Sequence, residues 1–140
     1  MQTLYIMQGV PGSGKSTVAK AIKGDYNPRI VICSTDEYFY EGGVYKFDPS
    51  KLGEYHLKNL WRAIDFMEKG FSVIVDNTNI RAKDCKNYVA HALRLGMSVQ
   101  FIRVTGNFQS IHGVPQATID RMKASMEDLS IEKFQEKSND

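Results

Sequence analysis

The sequence predicts an α/β domain: a small parallel sheet of four to five strands with helices on both faces. Three observations carry that expectation. Short apolar runs of strand length alternate with segments in which apolar residues recur at helical spacing. The first run leads straight into a glycine-rich loop, Gly9-Val10-Pro11-Gly12-Ser13-Gly14-Lys15-Ser16-Thr17. The second and third end on acidic and polar residues, where an open parallel sheet collects its functional groups.

Taken in order, Leu4, Tyr5, Ile6 and Met7 form the first buried strand, and residues 16–23 form the helix that the glycine loop opens. Ile30, Val31, Ile32 and Cys33 form the second strand. Residues 37–50, rich in aromatics and containing Gly42-Gly43, read as a long loop before a helix over 51–69. Strands at 71–75 and 99–104 each follow a helix-ending glycine, Gly70 and Gly96. Helices over 81–95 and 116–129 complete the alternation, with a shorter loop at 105–114. A chain of 140 residues that is 42% hydrophobic suits one core, so residues 1–129 read as a single domain and 130–140 as a polar tail that frays.

Composition narrows the function. Eighteen basic against 16 acidic residues leave a formal charge of +2, far from the basic balance of obligate nucleic-acid binders, so any such contact is local. No apolar run has the length of a membrane span, and no basic leader precedes the first strand, which points to a soluble, cytoplasmic protein with no membrane partner. Cys33 and Cys85 lack paired spacing and read as reduced, buried thiols.

The loop from Gly9 to Thr17 matches G-x-x-x-x-G-K-[ST] in the required context, after a strand and at the start of a helix. This is the phosphate loop of ATP-binding P-loop folds. Gly9, Pro11, Gly12, Ser13, Gly14, Lys15, Ser16 and Thr17 are its binding residues. Its glycines let backbone N–H groups curl round a phosphate, and the helix N-terminus adds its positive dipole end. Lys15 reaches the β- and γ-oxygens, and Ser16 is placed to ligate Mg²⁺. A dinucleotide fingerprint fails because Thr17 stands where its third glycine would, and no N-K-x-D guanine-reading segment is present.

Two acidic positions follow strands. Asp36, in Ser34-Thr35-Asp36-Glu37-Tyr38, lies beside the phosphate loop, where a carboxylate accepts the proton of an attacking hydroxyl; Thr35 and Asp36 are also good helix caps. Glu37 points elsewhere. Asp76, in Asp76-Asn77-Thr78-Asn79, has the position of an acid that holds Mg²⁺. Asn77 and Thr78 are placed to bond acceptor or phosphate oxygens, and Thr78 or Asn79 is an alternative cap for the helix near Arg81.

These motifs, with Leu52-Gly53-Glu54-Tyr55-His56 and His112-Gly113-Val114-Pro115, resemble the polynucleotide-kinase-like, AAA-type P-loop family over nearly the whole chain. That family includes a bacteriophage polynucleotide 5′-hydroxyl kinase and a domain of animal ubiquitin-ligase-binding proteins. The resemblance implies an ATP- and Mg²⁺-dependent kinase whose general base falls on Asp36, whose loop lysine and hydroxyl fall on Lys15 and Ser16, and whose acceptor- and metal-arranging segment falls on Asp76, Asn77, Thr78 and Asn79. It implies a nucleic-acid 5′ end or nucleoside-like acceptor. There are two departures: Phe39 stands where the phage enzyme has an acceptor-contacting arginine, and Gln109 stands where relatives carry a lid arginine over the transferring phosphate. Arg103 and Arg121 are the candidates to replace the second. The missing arginine also motivates the rival reading, a nucleotide-binding switch.

His56, Asn59 and Arg62 lie one to two turns apart on one helix, where they either face the acceptor groove together, His56 and Arg62 as its binding candidates, or fill solvated or structural roles. Tyr38, Phe39, Tyr40, Tyr45 and Phe47 either stack on bases or pack their own loop. His91 reads as structural, and Trp61, Met122 and Met126 read as packing residues.

Overall fold

The computed structural model describes residues 1–108 and 113–135. Gln109 and His112, with the rest of the expected lid between them, lie outside the described residues, as do 136–140. The parallel sheet has four strands, β1 (Thr3–Gln8), β2 (Ile30–Cys33), β5 (Ser72–Val75) and β6 (Ser98–Arg103), in the order β2-β5-β1-β6. A separate hairpin pairs β3 (Tyr40–Glu41) with β4 (Val44–Tyr45), antiparallel. The helices are α1 (Lys15–Lys23), α2 (Leu52–Glu68), α3 (Ala82–Arg94) and α4 (Gln116–Ser125).

Pairing is in register from Leu4 opposite Val73 to Ile6 opposite Val75, and from Ile30 opposite Ser72 to Cys33 opposite Val75. Val73, Ile74 and Val75 are fully buried, because β5 is central and covered on both faces, which is why its sequence is an unbroken apolar run. Along β1, side chains alternate. Leu4 and Ile6 pack with Ala63 and Met67 of α2 and with Cys85, Val89 and Ala92 of α3, whereas Met7 joins Ala19 of α1 and Ile74. Gly70 and Gly96 end α2 and α3 as their positions predict; Phe71 N–H returns to Phe66 O at 3.0 Å, and Met97 N–H to Ala92 O at 2.9 Å.

The structure departs from the sequence reading at four places. In place of an open loop over 37–50, residues 35–51 form the hairpin and two short 3₁₀ turns, Thr35–Phe39 and Pro49–Lys51. Helix α4 ends at Ser125, four residues before the expected 129, because the next segment is drawn off by tertiary bonds: Glu127 N–H donates to Ile80 O at 2.9 Å, and Gln8 Nε2 to Glu127 O at 2.7 Å. Within the tail expected from Ser130, the described residues 130–135 lie against the core. Ile131 and Phe134 pack on the core cluster, with the Phe134 ring stacked on Phe101 of β6 at 5.4 Å and 11°. Trp61, expected to pack, is 61% exposed on α2, while the expected packing of Met122 and Met126 is met against Val10, Ile80 and Ile119.

No helix among the described residues is long and apolar enough to cross a membrane. Cys33 and Cys85 are free and buried, and burial pushes their thiols up to about 11 and about 12.

Candidate active site

Parallel register brings three strand ends together. Because Ile6 pairs with Val75 and Cys33 with Val75, the residues following β1, β5 and β2 emerge side by side at the carboxyl edge of the sheet. Asp76 N–H donates to Cys33 O at 3.0 Å, and Gly9 N–H to Thr78 O at 3.1 Å, which ties the phosphate loop and both acidic segments into one rim.

The phosphate loop turns through a bond from Ser13 N–H to Val10 O at 3.1 Å and enters α1 through Gly14, whose φ of 92° is left-handed. Gly9 is required sterically: a Cβ there would lie 2.5 Å from Ser13 Oγ and 2.9 Å from Val104 O. Lys15 and Ser16 then converge on Asp76, which is 7% exposed. Lys15 Nζ lies 3.4 Å from Asp76 Oδ1, and Ser16 Oγ donates to Asp76 Oδ2 at 3.0 Å. Among the described residues, the buried atoms Asp76 Oδ1 and Ser13 Oγ have no hydrogen-bond partner. A hydroxyl and a carboxylate at hydrogen-bond distance, with a carboxylate oxygen that has the Lys15 ion pair but no hydrogen bond, fit Mg²⁺, which takes one or two protein oxygens and completes its shell with water and phosphate. The left-handed Gly12 and Gly14 and the unbonded Ser13 hydroxyl fit a phosphate.

Asp36 sits in the Thr35–Phe39 turn after β2, and its surroundings fix that turn from both sides. Asn77 Oδ1 accepts from Thr35 N–H at 2.9 Å, and Thr35 Oγ1 shares a 2.9 Å bond with His56 Nδ1. Burial holds His56 below its ordinary value, opposed by Asp84 and Asp36. Tyr45 Oη donates to Asp36 Oδ1 at 3.3 Å; burial, then the Asp36 carboxylate, pushes this phenol up to about 12.

Of the residues expected to bind the acceptor, Asn77 and His56 therefore bond the turn that carries Asp36, and Thr78 contributes its carbonyl to the phosphate-loop rim. Arg62 is tied elsewhere: it pairs with Glu37 at 2.9 Å and donates to Ile32 O at 3.4 Å. Asn59 is a core residue, fully buried and bonded to Tyr88 Oη at 3.0 Å. Asn79 does not cap α3. It takes a left-handed φ of 47° and donates to Met7 O at 2.7 Å, while the first N–H groups of that region go to Asp84 (from Arg81, 2.9 Å) and Glu127 (from Ala82, 2.7 Å). His91 is structural as expected, bonded to Glu68 at 3.0 Å. The aromatic cluster largely packs its own loop: Phe39, 2% exposed, meets Tyr55 at 4.7 Å and Phe47 at 5.0 Å. Arg103 is engaged by Gln8, Glu127 and Asp128, each at 2.9 Å, and Arg121 by Thr118 at 3.2 Å.

Sequence reasoning missed a cavity of about 310 Å³ beside the phosphate loop, between Pro11 and Gly12, Asn107 and Phe108, and Ile119 and Lys123 of α4. Phe108 N–H donates to Gly12 O at 2.7 Å, which closes this cavity against the loop. Only the glycine-containing loop at 105–114 hinted at it; its lining comes from three distant segments.

Among known families, that of the AAA domain matches residues 4–105. Human NEDD4-binding protein 2 is 41% identical over 85% of this chain, which spans only 7% of that protein's length. A chain of the Pnkp1/Rnl/Hen1 RNA repair complex superposes with a TM-score of 0.64 at 20% identity, over 89% of this chain and 43% of its own. The APS kinase CysC of Mycobacterium tuberculosis superposes with a TM-score of 0.57 at 16% identity, over 88% of this chain and 93% of its own. These two likenesses establish the fold, the P-loop α/β fold that the sequence predicts.

Proposed function

Because the chain belongs to the AAA-domain family and has the P-loop fold, we propose that it moves the γ-phosphate of ATP onto a hydroxyl acceptor, the 5′-hydroxyl of a polynucleotide first among the candidates. The observation that carries this reading is the convergence of Lys15 and Ser16 on Asp76, beside the turn that bears Asp36. Phosphoryl transfer asks a protein mainly for positioning and for neutralising charge. The cavity at Phe108 and Asn107 would take the nucleoside, and the loop amides and Lys15 would take the β- and γ-phosphates. Ser16 and Asp76 would hold Mg²⁺, which when bound supplies further charge neutralisation at the phosphates. The acceptor oxygen bonds to the γ-phosphorus, the bond to the bridging oxygen breaks, ADP leaves with that electron pair, and the acceptor's proton passes to Asp36. The polynucleotide acceptor is supported by the Ser34-Thr35-Asp36-Glu37-Tyr38 and Asp76-Asn77-Thr78-Asn79-Ile80 motifs and by the fold shared with a chain of an RNA repair complex. Free buried thiols support a reducing, cytoplasmic setting.

The experiment is transfer of label from γ-labelled ATP to a 5′-hydroxyl oligonucleotide, with nucleosides and small alcohols alongside. Lys15→Ala should weaken ATP binding and collapse turnover, and Asp36→Asn should lower kcat by about 10²- to 10⁴-fold with ATP affinity little changed. Label on a nucleoside or small alcohol alone would move the acceptor assignment, and tight ATP binding without transfer to any acceptor would make the protein a nucleotide switch.

A further inference from the structure

We infer that Tyr45 is a positioning residue for this reaction: its hydroxyl holds the Asp36 carboxylate in the orientation that receives the acceptor's proton. The inference rests on the phosphotransfer reading and on Asp36 as its base.

Among the described residues, Asn77, His56 and Tyr45 reach the turn that carries Asp36 from three elements, and they do different things. Asn77, after β5, binds the Thr35 N–H, and His56 of α2 binds the Thr35 hydroxyl. Both fix the backbone, so the Asp36 Cα is set, but neither bond decides where the carboxylate at the end of two side-chain torsions points. The Tyr45 hydroxyl does reach the carboxylate, 3.3 Å from Oδ1.

Tyr45 is itself held in place. It lies opposite Tyr40 in the hairpin, its ring meeting Tyr40 at 5.3 Å and Phe39 at 6.1 Å, edge to face in both cases. The next residue extends the ladder, Lys46 N–H donating to Phe39 O at 2.8 Å, and Phe39 is anchored under Tyr55 of α2. The hydroxyl is thus carried on a ring packed against the buried Phe39, as a side chain that must locate another side chain should be. A phenol held up at about 12 stays protonated at any working pH, so Tyr45 remains the donor and does not compete for the acceptor's proton. During transfer only Asp36 changes protonation state. The contribution of Tyr45 therefore belongs in kcat, and the donor site, built from other segments, does not depend on it.

The test is Tyr45→Phe, which keeps the ring and its packing and removes only the hydroxyl. With γ-labelled ATP and a 5′-hydroxyl oligonucleotide, kcat should fall about 10- to 100-fold, the range for losing a hydrogen bond to a charged group that orients a reacting side chain. KM for ATP and the thermal midpoint should not move. In an Asp36→Asn background the same substitution should cost nothing further, because Tyr45 acts only through that carboxylate. An unchanged kcat in Tyr45→Phe overturns the inference, and so does an equal loss in both backgrounds, which would make Tyr45 act independently of Asp36. If the wild type transfers label but Asp36→Asn is equally fast, the base assignment has failed and Tyr45 falls with it. A wild type that labels no acceptor refutes the phosphotransfer reading itself.

Discussion

His56 shows how the burial of a single ring sets a pH dependence. Its ring shares a hydrogen bond with Thr35, and burial lowers its folded pKa below the ordinary value of about 6.5, against the pull of Asp84 and Asp36. The unfolded chain therefore takes up a proton first as the pH falls. The contribution of neutral His56 to stability is complete above about pH 6.5 and is lost as the pH drops from there toward the depressed folded value. Denaturant unfolding at neutral and mildly acidic pH should show this loss in the wild type and a smaller one in His56→Gln; equal losses in both would remove His56 as its source. Nothing in the sequence distinguished this role. His56 stood on the right helix to face an acceptor, and only the fold shows Thr35 lying across from it. The same applies to Asn59 and Arg62, whose spacing is that of one helix face while their partners, Tyr88 and Glu37, come from other elements.

At the scale of elements, α3 begins under the control of a residue 45 positions away. Ala82 N–H donates to Glu127 Oε1, and Asp84 closes the same turn locally on Arg81 N–H. Removing a helix cap costs about 1 kcal/mol, so Glu127→Ala should lower stability by about that much in denaturant titration, and Glu127→Gln, which keeps an acceptor oxygen, by less. A Glu127→Ala protein as stable as the wild type would show that Asp84 suffices. This bond also explains what the sequence hid about α4. Residues 126–129 fit a helical pattern, but their backbone is recruited by Ile80 and Gln8, and tertiary bonds override propensity. Strands and helices whose signals are local were legible: the apolar run of β5 and the glycines after α2 and α3 placed those elements to within one or two residues. The hairpin was not legible, since each of its strands has only two residues and Gly42-Gly43 alone marks a turn without its register.

At the scale of the whole molecule, residues 131–134 pack on the core cluster to which α2 and α3 contribute, and reach Phe101 of β6. Ile131 and Phe134 are partly buried there, so a chain ending at residue 129 should lose about 2–4 kcal/mol, less than full removal of two core side chains, and unfold at a lower temperature. An unchanged thermal midpoint in that truncation would mean that the Phe101–Phe134 stack carries no net stability. The location of the site was legible for a global reason, since a signature after the first strand and acids after the next two must meet wherever parallel strands end together. The cavity at Phe108 and the reach of Tyr45 were not, because each depends on how separate segments close on one another. The common direction of the four strands has a practical side. Gln2 bonds the Met67 and Phe71 carbonyls at the start of β1, whereas Lys15 and Asp76 stand beyond its far end. Six residues of extended chain, about 20 Å, separate the two edges. A surface linker, fluorophore or fusion partner attached ahead of Met1 would leave the molecule on the side away from the phosphate loop, so the protein can be immobilised by that end with the crevice facing solution.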